Sequence, residues 1–423
     1  GSFGPDNQDF MRYAADNDWL VKQNNLNTAY SRTYSEQWNF RASIEPARDL
    51  KVDLSATRQL NRNFQEFFRW NDTLFFDDGT FDPNGGFVSE SPQSVGSFST
   101  SYNIWRTAFE NQSDENISPA FETFSEYRTL ISERLASLNP NAAGNHAEDI
   151  GYSDGYGSGQ QEVLLPAFLA AYSGKSPDNI GLSPFINIPD PNWRVTYTGL
   201  TKLDFIKKYF KTFTLNHSYR SNFNVSSFRT NVLYEDDGSG FTEERDPVTG
   251  NNFVPKYEIQ TVTLSEQFAP LINVDMTWNN SLITRVEMRR DRNLSLSFAN
   301  SQITESRSNE LVVGLGYTFE QVPLPFQRPS KRNKIKSDLR LRGDVSIRDN
   351  ITIIRKLNDD IKPNEPTGGQ RIVSLKFTAD YTLSNKLNLR LFFDRIVTEP
   401  KISLSFPTAN TNAGVSIRFT IST

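Results

Sequence analysis

Val373-Ser-Leu-Lys-Phe-Thr-Ala-Asp-Tyr-Thr-Leu383 decides the fold. Val373, Leu375, Phe377, Ala379, Tyr381 and Leu383 occupy every second position, and Ser374, Lys376, Thr378, Asp380 and Thr382 fill the gaps. Strict period-2 alternation over so many residues is the signature of a β-strand with one apolar and one polar face. The pattern repeats on both sides. Towards the C-terminus, Leu387, Leu389, Leu391 and Phe393 alternate with Asn388, Arg390 and Asp394. The last strand then reads Val415, Ile417, Phe419 and Ile421 against Ser416, Arg418, Thr420 and Ser422. Towards the N-terminus, Leu339, Leu341, Val345 and Ile347 alternate with Asp338, Arg340, Arg342, Asp344, Ser346 and Arg348.

Length separates two interpretations. Strands of soluble sheets run to about 5–6 residues, whereas a tilted membrane-spanning strand needs about 9–11. These strands have the longer length, and their polar face carries Arg, Lys and Asp, which suits a wet lumen. The expected fold is therefore all-β: antiparallel transmembrane β-barrel strands, the C-terminal part of a very large barrel, with a helical loop or cap insertion. Strands are expected near 193–200, 211–234, 257–279, 281–299, 303–320, 337–349, 371–384, 386–398 and 411–422. Tight turns at Pro46–Leu50, Trp278–Leu282 and Leu383–Leu387 are expected at one end, and long polar loops at 235–256, 349–369 and 398–412 at the other. A Pro-rich basic insertion at 320–336 breaks this rule with Arg328, Lys331, Arg332, Lys334 and Lys336.

Three regions follow: N-terminal strands and loops in 1–105, a helical and loop insertion in 106–192, and C-terminal strands in 193–423. Within the insertion, Phe121, Phe124, Tyr127, Leu130, Ile131 and Leu135 have helical spacing, and Val163–Tyr172 reads as a second helix. This insertion is expected to act as a cap or as an element folded into the lumen. The up-down count fails by one strand if the turn at 47–49 lies with the others, which places a hidden strand in 65–95 or 106–192.

Composition narrows the function. The 423 residues are 36% hydrophobic and 13% aromatic, with mean hydropathy −0.55. The longest apolar run, Val163–Tyr172, is interrupted by Pro166, so no transmembrane helix is expected. Low hydropathy is compatible with a barrel, half of whose positions face a polar lumen. Cysteine is absent and the net charge is −5, which removes disulfides, thiolate metal sites and any reason to expect nucleic acid. Two histidines, His146 in a Gly/Asn-rich loop and His217 in a strand, supply no metal set. Asp77-Asp78-Gly79 and Glu235-Asp236-Asp237-Gly238 lack EF-hand spacing and read as solvated loops. Gly151–Gly159 reads as a flexible loop, and Gly314 and Gly316 as positions easing strand packing. With no Ser/His/Asp or Cys/His set, neither enzymatic activity nor a cofactor is expected. The candidate pore-lining residues are Arg285, Glu287, Arg289, Asp338, Arg340, Arg342, Asp344, Lys376, Asp380, Arg390, Asp394 and Arg418. Their arginines are expected to pair with the neighbouring acids and hold the wall together, or else to tune the passage of a solute or polypeptide.

Pro191-Asn-Trp-Arg-Val-Thr-Tyr-Thr-Gly-Leu200 with its continuation to Arg220, Gln161–Gly174 and Glu266–Trp278 resemble the SprA/Sov family. The resemblance covers nearly the whole chain and matches the C-terminal end of the family. It implies an outer-membrane translocon of the type 9 secretion system: a single-chain barrel at the upper end of known sizes, about 36 strands. Through it pass folded cargo proteins carrying a C-terminal targeting domain. It also implies as partners the remainder of the same polypeptide, a PorV-type barrel at a lateral opening, a periplasmic plug protein, and outer-membrane lipid or lipopolysaccharide. Family members are several times longer, and the opening Gly-Ser-Phe-Gly-Pro carries no signal, so the chain is expected to be a C-terminal portion of such a protein. The alternatives from the residues alone are a self-contained channel for small solutes and a β-rich surface adhesin.

Overall fold

The computed structural model describes residues 10–75, 81–82, 85–113, 115–142, 151–323, 336–357, 364–384, 387–402 and 405–419. The basic insertion at 324–335, His146, Asp77–Gly79, Asp359-Asp360, Asn385-Lys386 and Ile421 lie outside them. One antiparallel sheet of 13 strands dominates. Its main path runs β1 (Tyr30–Ala47), β2 (Leu50–Asn71), β5 (Gly86–Thr100), β7 (Phe210–Thr230), β11 (Thr261–Trp278), β12 (Ile283–Ser297), β13 (Gln302–Pro323), β14 (Lys336–Lys356), β15 (Asn364–Ser384), β16 (Leu387–Pro400) and β17 (Thr408–Phe419). Short β6 (Asn192–Tyr197) and β10 (Tyr257–Ile259) complete it. Two-residue ladders β3 (Leu74–Phe75) with β4 (Phe81–Asp82) and β8 (Arg245–Asp246) with β9 (Asn252–Phe253) stand apart.

The hidden strand expected in 65–95 or 106–192 is not needed among the described residues, because the up-down count is restored by one strand built from two segments. β5 pairs with the far half of β2 and of β7, while β6 pairs with their near halves, Leu50–Ser55 and Leu215–Tyr219. Together β5 and β6 make one strand, interrupted by residues 101–191. Side chains bridge the break. The Thr57 N–H donates to Ser101 Oγ (3.0 Å), Asn192 Nδ2 donates to the same oxygen (3.2 Å), and the Ser221 N–H donates to Asn192 Oδ1 (2.7 Å).

β14 and β15 also outrun the expected loop at 349–369. Their ladder continues to Arg355↔Asn364, so Asp349-Asn350 and Gly368-Gly369, which read as turn residues, sit inside strands. Alternation persists there in Ile351 and Ile353 against Asn350 and Thr352.

Register fixes which residues share a face. From Val286 the neighbours across the sheet are Val313, Val345, Leu375 and, past Arg395, Thr411; from Met288 they are Leu311, Ile347, Val373, Val397 and Ala409. One face of β12–β17 therefore carries Leu311, Val313, Leu315 and Phe319, then Leu339, Leu341, Val345 and Ile347, and Leu375, Phe377, Leu391, Val415, Ile417 and Phe419. Most of these large apolar side chains are exposed. Trp38, Phe40 and Ile44 of β1 and Ile272 of β11 continue the band on the same face, also exposed. On each of β13, β14 and β15 the band is about nine residues long, whereas on β16 the exposed Arg395 interrupts it between Phe393 and Val397. Its upper margin is a polar row, Arg290, Asn309, Asp349 and Arg371.

Above that row the same face is covered by the insertion. α2 (Pro119–Leu138) shields α3 (Gln161–Ser173), which packs on Phe98, Phe223, Val225, Val262, Leu264, Leu294 and Leu296. α3 is apolar on all sides because it is enclosed on all sides: every residue from Val163 to Ser173 is buried. It ends on Gly174 in the left-handed conformation, with Lys175 N–H donating to the Ala170 carbonyl (3.0 Å). The insertion was expected to fold to the charged side or to cap the lumen; its apolar helices place it on the apolar face instead.

Three arginines of the sheet hold it there. Arg58 Nε donates to the Ile186 carbonyl (2.9 Å), Arg292 to the carbonyls of Thr107 (2.9 Å) and Ile104 (3.1 Å), and Arg355 to that of Asn116 (2.6 Å). A sheet glutamate neutralises each one: Glu36 (2.5 Å), Glu266 (2.7 Å) and Glu305 (2.6 Å). Arg292, Glu266, Arg355 and Glu305 are all buried. Such pairs are tolerated away from water because each charge faces its opposite and the guanidinium groups also reach backbone carbonyls.

The Gly151–Gly159 loop is packed, not free. Gly155 has φ +77° and lies under the Phe253 ring, which a Cβ would approach to 2.3 Å. Arg245 grips Asp154 with two hydrogen bonds (2.9 and 2.7 Å).

Candidate functional site: the polar face of the sheet

Alternation that puts aliphatics on one face puts every intervening residue on the other. Register rows make this concrete. Asp275, Arg285, Gly314, Asp344, Lys376, Asp394 and Asn412 lie side by side across six ladders. Thr318, Arg340, Asp380, Arg390 and Ser416 form a second row. Glu287 and Arg289, Asp338 and Arg342, and Arg418 share the face by parity along their strands. All twelve candidate residues thus stand on one face, the one opposite the apolar band and at the same height.

Pairing is partial. Arg285 contacts Glu287 (2.5 Å) and Asp275 (3.7 Å), and Arg289 bridges Glu287 (2.6 Å) and Glu310 (3.4 Å). Arg348 joins the same Glu310 (3.0 Å). Glu287, the hub, is buried beneath its arginines. Arg390 makes a two-point contact with Asp380 (2.5 and 3.3 Å). Gly314 leaves room for the Asp344 carboxylate, whose Oδ1 would lie 2.6 Å from a Cβ there. Arg340, Arg342, Lys376 and Arg418 make no ion pair among the described residues. The face thus combines a charge network on β11–β14 with cations that make no ion pair among the described residues, and of the acids expected to pair, Glu287 and Asp380 do so while Asp338, Asp344 and Asp394 make no ion pair among the described residues.

Sequence reasoning missed Asp275, Glu310 and Arg348, which complete the network, and Arg41, Asp53, Arg194 and Arg220, which extend the charges to β1, β2, β6 and β7 on the same face. Their signal was the same period-2 position on strands already recognised.

Beyond the row Arg220, Gln267, Asp291 the character of this face changes. Ser31, Thr33, Ser35, Gln37 and Asn39 on β1 face Gln65, Asn63, Asn61, Gln59 and Thr57 on β2. Asn222 and Asn224 on β7 lead to Ser265, Asn293, Ser295, Ser306 and Thr352. Charge is absent from these positions. Neighbours satisfy one another, as in Ser35 to Asn61 (2.8 Å), Ser99 to Asn222 (3.1 Å) and Ser306 with Thr352 (3.0 Å). A charged belt lies behind the apolar band, and mainly a hydroxyl and amide field, edged by the ion pairs Arg229–Glu258 and Lys356–Glu365, lies behind the helical insertion.

His217 is structural: its Nδ1–H donates to the Leu271 carbonyl (2.6 Å) in the bulge of β11. Asp236 and Asp237 accept hydrogen bonds from the turn Gly238–Gly240, and no cluster of three metal-ligating side chains occurs among the described residues. No described helix is long and apolar enough to cross a membrane. No protein-family model matches the chain, and no curated protein matches it.

Proposed function

We propose that this chain is a stretch of wall in an outer-membrane β-barrel, the protein-conducting translocon of the type 9 secretion system. The observation that carries the membrane part is the exposed apolar band backed at the same height by a charged belt. About nine residues at ~3.4 Å span ~30 Å along the strand, or roughly 23 Å across a bilayer when tilted, close to the ~25 Å apolar belt of outer-membrane barrels. An exposed apolar surface of this extent is otherwise a partner interface.

The remainder of the reading rests on two further points. β1 and β17 have no second neighbour among the described residues, so both edges of the sheet are open. Unpaired backbone groups do not face lipid, which supports a larger wall continuing from these edges. A barrel wide enough for folded cargo needs many strands, and the blocks at Gln161–Gly174, Pro191–Arg220 and Glu266–Trp278 resemble a family built that way. In this reading the charged belt faces the lumen and the chain contributes no chemistry. A self-contained solute channel would need β1 to pair with β17, and no such pairing occurs among the described residues.

Extraction of the native protein in mild detergent, followed by sizing and identification of what accompanies it, tests the assignment. The expected result is a large assembly containing further barrel polypeptide. A compact, heat-modifiable monomer would overturn it in favour of the solute channel.

A further inference from the structure

At the junction between the apolar band and the insertion, one guanidinium lacks an acceptor. Arg292 is matched by Glu266, and Arg355 and Arg307 share Glu305. Arg290, in the polar row that closes the band, has no hydrogen bond or ion pair among the described residues and is only partly buried. It lies over the Phe109 ring (4.9 Å), and Phe109 leans on Phe268 (5.1 Å). Trp105 and Phe109, at the lower rim of the insertion, are 47% and 49% exposed. Directly below Arg290 on the same face, Met288 and Ile272 are exposed and apolar.

From bottom to top the surface thus offers aliphatic side chains, then a surplus cation held against an aromatic ring, then two half-exposed aromatics. This is the order in which an outer-leaflet lipid presents acyl chain, phosphate and headgroup. We infer that the rim formed by Met288, Arg290, Trp105 and Phe109 binds the phosphate of an outer-leaflet glycolipid, with the helical insertion resting on the leaflet from the lipid side of the wall. The inference depends on the apolar band facing lipid and not on what passes through the barrel.

The test uses the full assembly in detergent, titrated with lipid A in mixed micelles and read by the part of the tryptophan fluorescence that Trp105→Phe abolishes. Saturable binding by the wild type, a loss of at least about tenfold in Arg290→Gln, partial recovery in Arg290→Lys and weak binding of dephosphorylated lipid A are expected. Equal affinity in Arg290→Gln overturns the site. Equal competition by inorganic phosphate overturns the lipid as its occupant. If either occurs while cysteines placed in the band remain shielded by lipid, the site alone fails and the wall reading stands.

Discussion

Single residues set the conditions under which the insertion stays in place. Glu162 begins α3 in surroundings where burial disfavours its charge, and its pKa is pushed up to about 7, with only the backbone N–H of Lys256 acting against this. An acid raised in the folded state holds its proton there after the unfolded chain has lost its own at about pH 4.3. Stability from this group is therefore full at low pH and falls as pH rises from about 4.3 to about 7. Glu162→Gln is expected to remove a difference of about 1–3 kcal/mol between pH 5 and pH 8. Thermal unfolding of both proteins at the two pH values checks this; parallel pH dependence would contradict it. Little at this scale was legible in the sequence. Gly155 lay in a stretch that read as flexible because nothing local announces the Phe253 ring above it. The twelve polar-face candidates were found because their signal is parity, which needs only neighbours along the strand.

Elements show where local pattern is enough and where pairing overrides it. β16 was readable throughout and β15 from Arg371 onward, since alternation on a half-exposed strand survives without knowledge of its partners. The break between β5 and β6 was not, because its two halves lie far apart in sequence and are joined only by β2 and β7. The arginine–glutamate pairs that hold the insertion were invisible for the same reason: Glu266 opposite Arg292 is a cross-strand fact. Removing one partner leaves the other charge buried, whereas removing both leaves none. Arg292→Met is expected to destabilise the insertion by about 3–5 kcal/mol, and the double variant Arg292→Met with Glu266→Leu by clearly less. Denaturation of the four members of this cycle, with limited proteolysis of 101–191, measures the coupling; additive losses would contradict the account.

For the whole molecule the decisive property is that one sheet carries two opposite surfaces at the same height: an apolar band, and behind it Arg285, Glu287, Arg289, Asp344, Lys376, Asp380 and Arg390. Above them, the band gives way to α2 and α3, and the charges to a field of Ser, Thr, Asn and Gln whose side chains bond to one another. The natural absence of cysteine makes the central claim directly measurable. Single cysteines at Val345 and Leu375 on one face, and at Ser346 and Ser374 on the other, are to be compared for labelling by a charged, membrane-impermeant thiol reagent in the native membrane with the lumen open to it. The account predicts rapid labelling at Ser346→Cys and Ser374→Cys, and protection at Val345→Cys and Leu375→Cys that disappears on denaturation. Equal labelling of all four positions would mean that the apolar band does not face lipid.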